Sequence, residues 1–117
     1  IMLNTDLTCK KGKTASHEGL WEPFQKFLLS EVMYGTTGIV YVLCGKSSHG
    51  LDKYINPLGN HIFYLEHPFA AGHRGDDVWR DENIFSKINT LLVDNNGKHA
   101  KIWWDKKDWE FYKDPPF

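Results

Sequence analysis

The sequence predicts an α/β domain, a parallel sheet flanked by helices, and two features carry that prediction. Residues 39–44 (Ile-Val-Tyr-Val-Leu-Cys) are a continuous β-branched and apolar run of the kind found in parallel strands covered on both faces, and residues 61–66, apolar from Ile62 to Leu65, read as a second buried strand. Segments with helical spacing lie between and after them, so the order reads strand, helix, strand, short helix, strand, helix.

Taken in order, residues 1–3 (Ile1-Met2-Leu3) read as the end of a buried strand. An apolar opening with no initiator Met and no polar lead-in is expected of part of a longer protein or of one piece of a cleaved one. Residues 4–16 are polar, contain Gly12, and read as a loop. Trp21, Phe24, Leu28 and Val32 follow i, i+3, i+7, i+11, which predicts a helix over 21–33 with Pro23 in its first turn. Gly35 and Gly38 bracket a turn before the strand at 39–44. A short helix interrupted by Gly50 is expected within 47–55, and Asn56-Pro57-Leu58-Gly59-Asn60 is turn chemistry. The strand at 61–66 runs into His67-Pro68, and residues 69–81 read as a long loop. Asp81 fits a helix N-cap with Glu82 in the first turn; Ile84, Phe85, Ile88, Leu91 and Leu92 form the apolar stripe, and Asn95-Asn96-Gly97 ends it. Residues 101–104 are a last short strand or an extended segment, followed by an extended tail with Pro115-Pro116. Three short strands and two good helices make a thin core, which again implies that another half completes it.

Composition narrows the function. The 117 residues suit one small domain. Fourteen basic against 15 acidic residues give a formal charge of −1, so charge alone does not indicate an electrostatic nucleic-acid binder. Aromatic residues reach 15% with five Trp, enough for a core, a stacking surface or both. No apolar run approaches the roughly 18 residues of a membrane helix, so no membrane partner is expected. Two cysteines without a Cys-x-x-Cys pair predict free thiols in a reducing, intracellular compartment: cytoplasm, nucleus, or the host cell of a virus or phage.

Several chemistries lose support. The six histidines show no i, i+4 pair and no Cys/His cluster of zinc spacing, so no metal is expected. Gly45-Lys46-Ser47 lacks the upstream Gly of a phosphate-binding loop. Cys44 ends a buried run and reads as a core residue. His67 is the more informative position. It stands where a strand releases into a loop and could donate a hydrogen bond to a developing anion, or could simply satisfy a strand-end backbone group. Asn4 follows the first strand; its amide can read a base edge bearing an N–H beside a C=O, or can serve as a plain turn residue.

Taken together, these pieces resemble the uracil-DNA glycosylase family. Met2-Leu3-Asn4-Thr5-Asp6-Leu7-Thr8 stands where that family has Leu-Leu-Asn-Thr-x-Leu-Thr. Ser16-His17 precedes Leu20-Trp21-Glu22-Pro23-Phe24, one residue shorter than the family spacing and without its Gly before Trp. Val42-Leu43-Cys44-Gly45 matches a strand ending Leu-Leu-Trp-Gly. His67-Pro68-Phe69-Ala70-Ala71-Gly72-His73-Arg74-Gly75 stands for His-Pro-Ser-Pro-Leu-Ser followed by His-Arg-Gly. Phe85-Ser86 through Leu92, Gly97 and Ile102-Trp103-Trp104 close the set, which covers 1–104 in family order.

The resemblance implies a C-terminal half of the glycosylase domain at 1–104, followed by an aromatic tail at 105–117 that could dock a protein partner. It implies hydrolysis of the N-glycosidic bond of deoxyuridine in DNA during base excision repair, with uracil-containing DNA as partner and no cofactor. Asn4 would read the flipped base, and a neutral His67 would stabilise charge on uracil O2. His17 would stand behind the catalytic carboxylate. Gly45 and Lys46 would touch DNA phosphate, as would Arg74, and Pro68, Phe69, Ala71 and Gly72 would form the loop inserted into DNA. The family's Asp-bearing motif, expected from a preceding N-terminal half, has no match here. Phe69 and Gly72 replace loop serines, and Ala71 replaces the intercalating Leu. These departures leave a second expectation, a catalytically inactive glycosylase-like module kept for DNA binding, structure or processivity.

Overall fold

The computed structural model describes residues 2–74 and 83–104, which fall in two compact units, 1–78 and 79–117. In the first unit, β1 (Val40–Cys44) and β2 (His61–Leu65) pair in parallel, in the register Val40↔His61 to Cys44↔Leu65. The α/β arrangement is as the sequence predicts, and among the described residues the sheet has two strands.

Helix α1 (Glu22–Phe27) continues into a π turn over Leu28–Val32, closed by the Met33 N–H on the Leu28 carbonyl at 2.9 Å. The helix lies where its spacing predicts, but a different face turns inward. Gln25 and Leu29 are buried and Met33 is half-buried, whereas Phe24 and Val32 of the expected stripe are exposed. Short α2 (Lys46–His49) and a 3₁₀ turn at Asp52–Tyr54 flank Gly50, as the interrupted helix requires. Lys53 and the Tyr54 hydroxyl both reach Glu22 Oε1, at 3.1 and 3.0 Å. Those hydrogen bonds, with the charge of Lys53, hold the Glu22 carboxyl below its ordinary pKa.

Leu29, Leu43 and Ile55 form the core cluster, with Met33, Tyr41, Leu51, Tyr54 and Ile62 packed on it. Leu43→Ala is expected to lower the unfolding free energy by about 2–5 kcal/mol, the cost of a buried Leu truncation. The denaturant midpoint checks it. Asn60 pins the entry to the sheet. Its Oδ1 accepts from Ile39 N–H at 3.0 Å, while Nδ2 donates to the Thr36 and Asn56 carbonyls at 3.0 and 2.9 Å. The Leu58 N–H donates to Asn56 Oδ1 at 3.0 Å, the Asx-turn closure that the segment's composition foretells.

Three expectations need correction. Of the expected strand end at 1–3, the described residues Met2 and Leu3 are irregular and exposed rather than buried. Strand formation requires a paired neighbour as well as β-forming composition. Second, β1 and β2 are not buried on both faces. Most of their residues are half-buried, His61 and Tyr64 are exposed, and only Leu43 and Leu65 are fully covered. Burial on both faces needs elements packed on both, and among the described residues of this unit the helices are short. Third, helix α3 (Pro68–Arg74) occupies the first part of the expected loop at 69–81. Pro68 presets the helical φ of the first turn, and Ala70-Ala71 favours continuation.

The second unit holds α4 (Ile84–Asn96), a 3₁₀ turn at Lys98–Ala100 and an extended end. Ile84 and Ile88 are buried, as the stripe predicts, and Gly97 stops the helix at φ +86°. The expected cap at Asp81 and first-turn Glu82 lie outside the described residues, as does the tail at 105–117. Residues 101–104 form an extended segment. The Asn89 side chain takes the place of a neighbouring strand for Ile102, accepting its N–H and donating to its carbonyl, both at 2.8 Å.

Candidate functional site

Parallel strands bring their C-terminal ends to one edge, where α/β folds gather functional groups. Here Gly45 follows the last residue of β1, and Glu66 and His67 follow the last residue of β2. Gly45 donates its N–H to the Leu65 carbonyl at 2.8 Å, and His49 Nε2 lies 2.9 Å from that same oxygen. The His49 ring packs edge-on against Tyr64, with centroids 5.4 Å apart. The end of β2 is therefore held just ahead of His67. A Cβ built on Gly45 would lie 3.1 Å from the Cβ of His67, so the backbone of one strand end is stacked on the side chain of the other.

His67 is exposed and starts α3. Its Nδ1 accepts the Phe69 N–H at 3.2 Å, and its carbonyl accepts the Ala70 N–H at 2.9 Å. Pro68 takes the first helical position, where the lack of an N–H costs nothing. Phe69 is 70% exposed and meets the His73 ring at 4.4 Å. Gly72 is exposed on the same helix, Ala71 and Arg74 share its backbone course, and Lys46 is exposed at the start of α2.

Asn4 is exposed on the irregular segment before α1. One buried side chain reaches it: Gln25 Nε2 donates to the Asn4 carbonyl at 3.2 Å and the Thr5 carbonyl at 3.4 Å. Thr8 Oγ1 accepts from Trp21 Nε1–H at 2.9 Å and lies 2.8 Å from His17 Nδ1. The Gly19 N–H donates to Asp6 Oδ1 at 3.1 Å. Beside Asn4 an open cleft of about 220 Å³ is lined by Thr5, Asp6, Gly19, Gln25, Ser47 and Leu51, among others; His67 does not line it.

The structure thus brings Gly45 and His67 together. Asn4 and His17 are each held by the segment leading into and through α1, and among the described residues they share no hydrogen bond with Gly45 or His67. Neither Gln25 nor His49 stands out as a site residue in the sequence. Gln25 left one signal, a polar residue at i, i+4, i+8 spacing with Leu29 and Met33. His49 left none.

Among the described residues no group of three or more His, Cys, Asp or Glu side chains is placed to hold a metal ion. No described helix is long and apolar enough to cross a membrane. Both cysteines are free, and burial pushes the Cys44 thiol up, which withholds the reactive thiolate. Iodoacetamide at mildly alkaline pH is therefore expected to label exposed Cys9 well before Cys44, read by peptide mass mapping.

No family model matches the chain, and no solved structure matches it. Curated relatives do. The chain is 35% identical over 95 residues to a uracil-DNA glycosylase of Alkaliphilus metalliredigens, covering 79% of this chain and 40% of that protein. It is 30% identical over 105 residues to a uracil-DNA glycosylase of Vibrio campbellii, covering 88% and 45%. A third, from Photorhabdus laumondii, is 32% identical over 94 residues, covering 79% and 40%. The chain spans less than half the length of these relatives.

Proposed function

The chain belongs to the uracil-DNA glycosylase family, matching the C-terminal part of its relatives, and from that premise we propose that it carries part of a site hydrolysing the N-glycosidic bond of deoxyuridine in DNA. The reaction releases free uracil and leaves an abasic site. Its substrate places the work in a compartment that holds DNA.

One observation carries the reading, the bond from the Phe69 N–H to His67 Nδ1. A backbone N–H only donates, so Nδ1 is the unprotonated nitrogen and the ring proton sits on Nε2. The imidazole then presents Nε2–H as its donor. As the bond between C1′ and N1 breaks, its electron pair leaves with uracil and spreads onto O2, and an Nε2–H donor there stabilises the departing anion. Water adds at C1′ and gives up its proton to a base contributed from beyond the residues assigned in this chain. Asn4 takes the flipped base, its Oδ1 accepting the ring N–H and its Nδ2 donating to the neighbouring carbonyl. His17 stands behind the site. Gly45, Lys46, Pro68, Phe69, Ala71, Gly72 and Arg74 approach the DNA, with Lys46 and Arg74 supplying charge for phosphates.

The test is release of uracil by the full-length protein from an oligonucleotide holding one deoxyuridine, followed as free base and as alkali-sensitive strand breaks. Release supports the reading. One observation favours a second reading, a DNA-binding module without catalysis: exposed Phe69 stands where the family has a loop serine, with Ala71 in place of its intercalating Leu. Binding to that oligonucleotide with no release of uracil would select it.

A further inference from the structure

We infer that Gln25 is the positioning residue for Asn4, a clamp that fixes the backbone from which the base-reading amide projects. The inference rests on the reading of Asn4 given above. Asn4 lies in an irregular segment, so no strand ladder sets its peptide planes. Something else must hold them, because an exposed side chain on a free backbone samples many orientations and binds a base edge poorly.

Gln25 meets that need. It is 3% exposed, the most deeply buried polar side chain among the described residues. It sits on the inward face of α1 beside Leu29, and the Gln25 N–H on the Trp21 carbonyl at 3.0 Å ties it into the helix start. An amide nitrogen has two hydrogens, and here two carbonyl oxygens lie in reach, those of Asn4 at 3.2 Å and Thr5 at 3.4 Å. The Asn4 carbonyl carbon is bonded to the Asn4 Cα and the Thr5 carbonyl lies one residue on, so holding both oxygens fixes the peptide plane from which the Asn4 side chain projects. Other bonds hold residues 4–8 to the segment 17–25: Gly19 N–H on Asp6, Trp21 on Thr8, and Thr8 with His17. All of these are exposed to water, which competes for them. Only the Gln25 pair is partly shielded, and a shielded hydrogen bond holds its geometry more firmly.

The experiment is a double-mutant cycle in the full-length protein, with Gln25→Met and Asn4→Ala, on the uracil oligonucleotide. Methionine keeps the length and burial of Gln25 and removes the donors. Gln25→Met is expected to lower kcat roughly ten- to hundredfold, the scale of a misplacement of about 1 Å, with KM changed less than about threefold. In the Asn4→Ala background the same substitution should cost less than about twofold, because nothing is left to position. Equal fractional losses in both backgrounds would overturn the proposal, since a general loss of stability acts alike with or without Asn4. Amide hydrogen exchange supplies a readout independent of chemistry. Residues 4–8 should exchange faster in Gln25→Met while the amides of β1 and β2 keep their rates; unchanged exchange at 4–8 would overturn the clamp whatever the activity. A parent protein that releases no uracil would instead overturn the reading of the site, with exchange left to decide the clamp. Should Gln25→Met not fold, Gln25→Asn, which keeps the amide but shortens its reach, is expected to show the same pattern.

Discussion

His67→Ala is expected to lower the turnover of uracil excision by about a hundred- to a thousandfold, the scale of losing one donor aimed at a developing anion. Affinity for uracil-containing DNA should stay within about threefold, because the bond from Nε2 strengthens only as charge develops on the leaving base. The fold should survive. His67 is exposed, and its removal forfeits one capping bond to the Phe69 N–H, a loss of about 1 kcal/mol. Single-turnover excision and equilibrium binding, measured on one oligonucleotide, separate the two effects. A parallel fall in binding and turnover would mean that His67 holds DNA rather than the transition state.

Gly45→Ala is expected to be nearly as damaging, for two separable reasons. Gly45 has φ +87° and ψ 162°, a region that residues with a Cβ scarcely enter, at a cost of about 1–3 kcal/mol in stability. Its new methyl would also meet His67 Cβ at 3.1 Å and Cδ2 at 3.4 Å, so the imidazole must give by a few tenths of an ångström. Turnover is expected to fall by about tenfold or more, since small displacements of an aligned group are expensive. Gly12→Ala is the control. It carries a positive φ of +72° with nothing within 4 Å of the added carbon. It should lose stability and keep turnover, and a Gly45→Ala protein that did the same would show that the close approach to His67 does not matter.

The two strands, the broken helix around Gly50 and the long helix ending at Gly97 were legible because their signals are local: composition, period and stop residues. The segment at 2–3 misleads because its composition is that of a strand while pairing depends on residues elsewhere. Helix α3 misled for the opposite reason. Gly72 and the charges beyond it suggested a loop, while its start signal was a histidine ring accepting a backbone N–H, which no propensity table weighs heavily. The site was legible in part. His67 stood out at the end of an apolar run, and Asn4 and Gly45 gained meaning through resemblance. The contact between Gly45 and His67 follows from the parallel register, and the hold of Gln25 on Asn4 joins residues 21 apart. Neither is written in any window of the chain.

The π turn in the first helix has a consequence for insertions and deletions. Eight residues of regular α-helix turn through about 800°, which would leave Met33 about 80° out of line with Gln25. An i→i+5 turn is wider and carries one residue more than the α turn it replaces, so each residue contributes less rotation and Met33 swings back toward the buried side. The helix therefore contains a place where chain length can change with little cost to what faces inward. Loss of a residue within 28–32 would let the turn relax to α geometry while Gln25, upstream of it, keeps its grip on Asn4. Length variation, usually confined to loops, has an outlet here in the last turn of a helix.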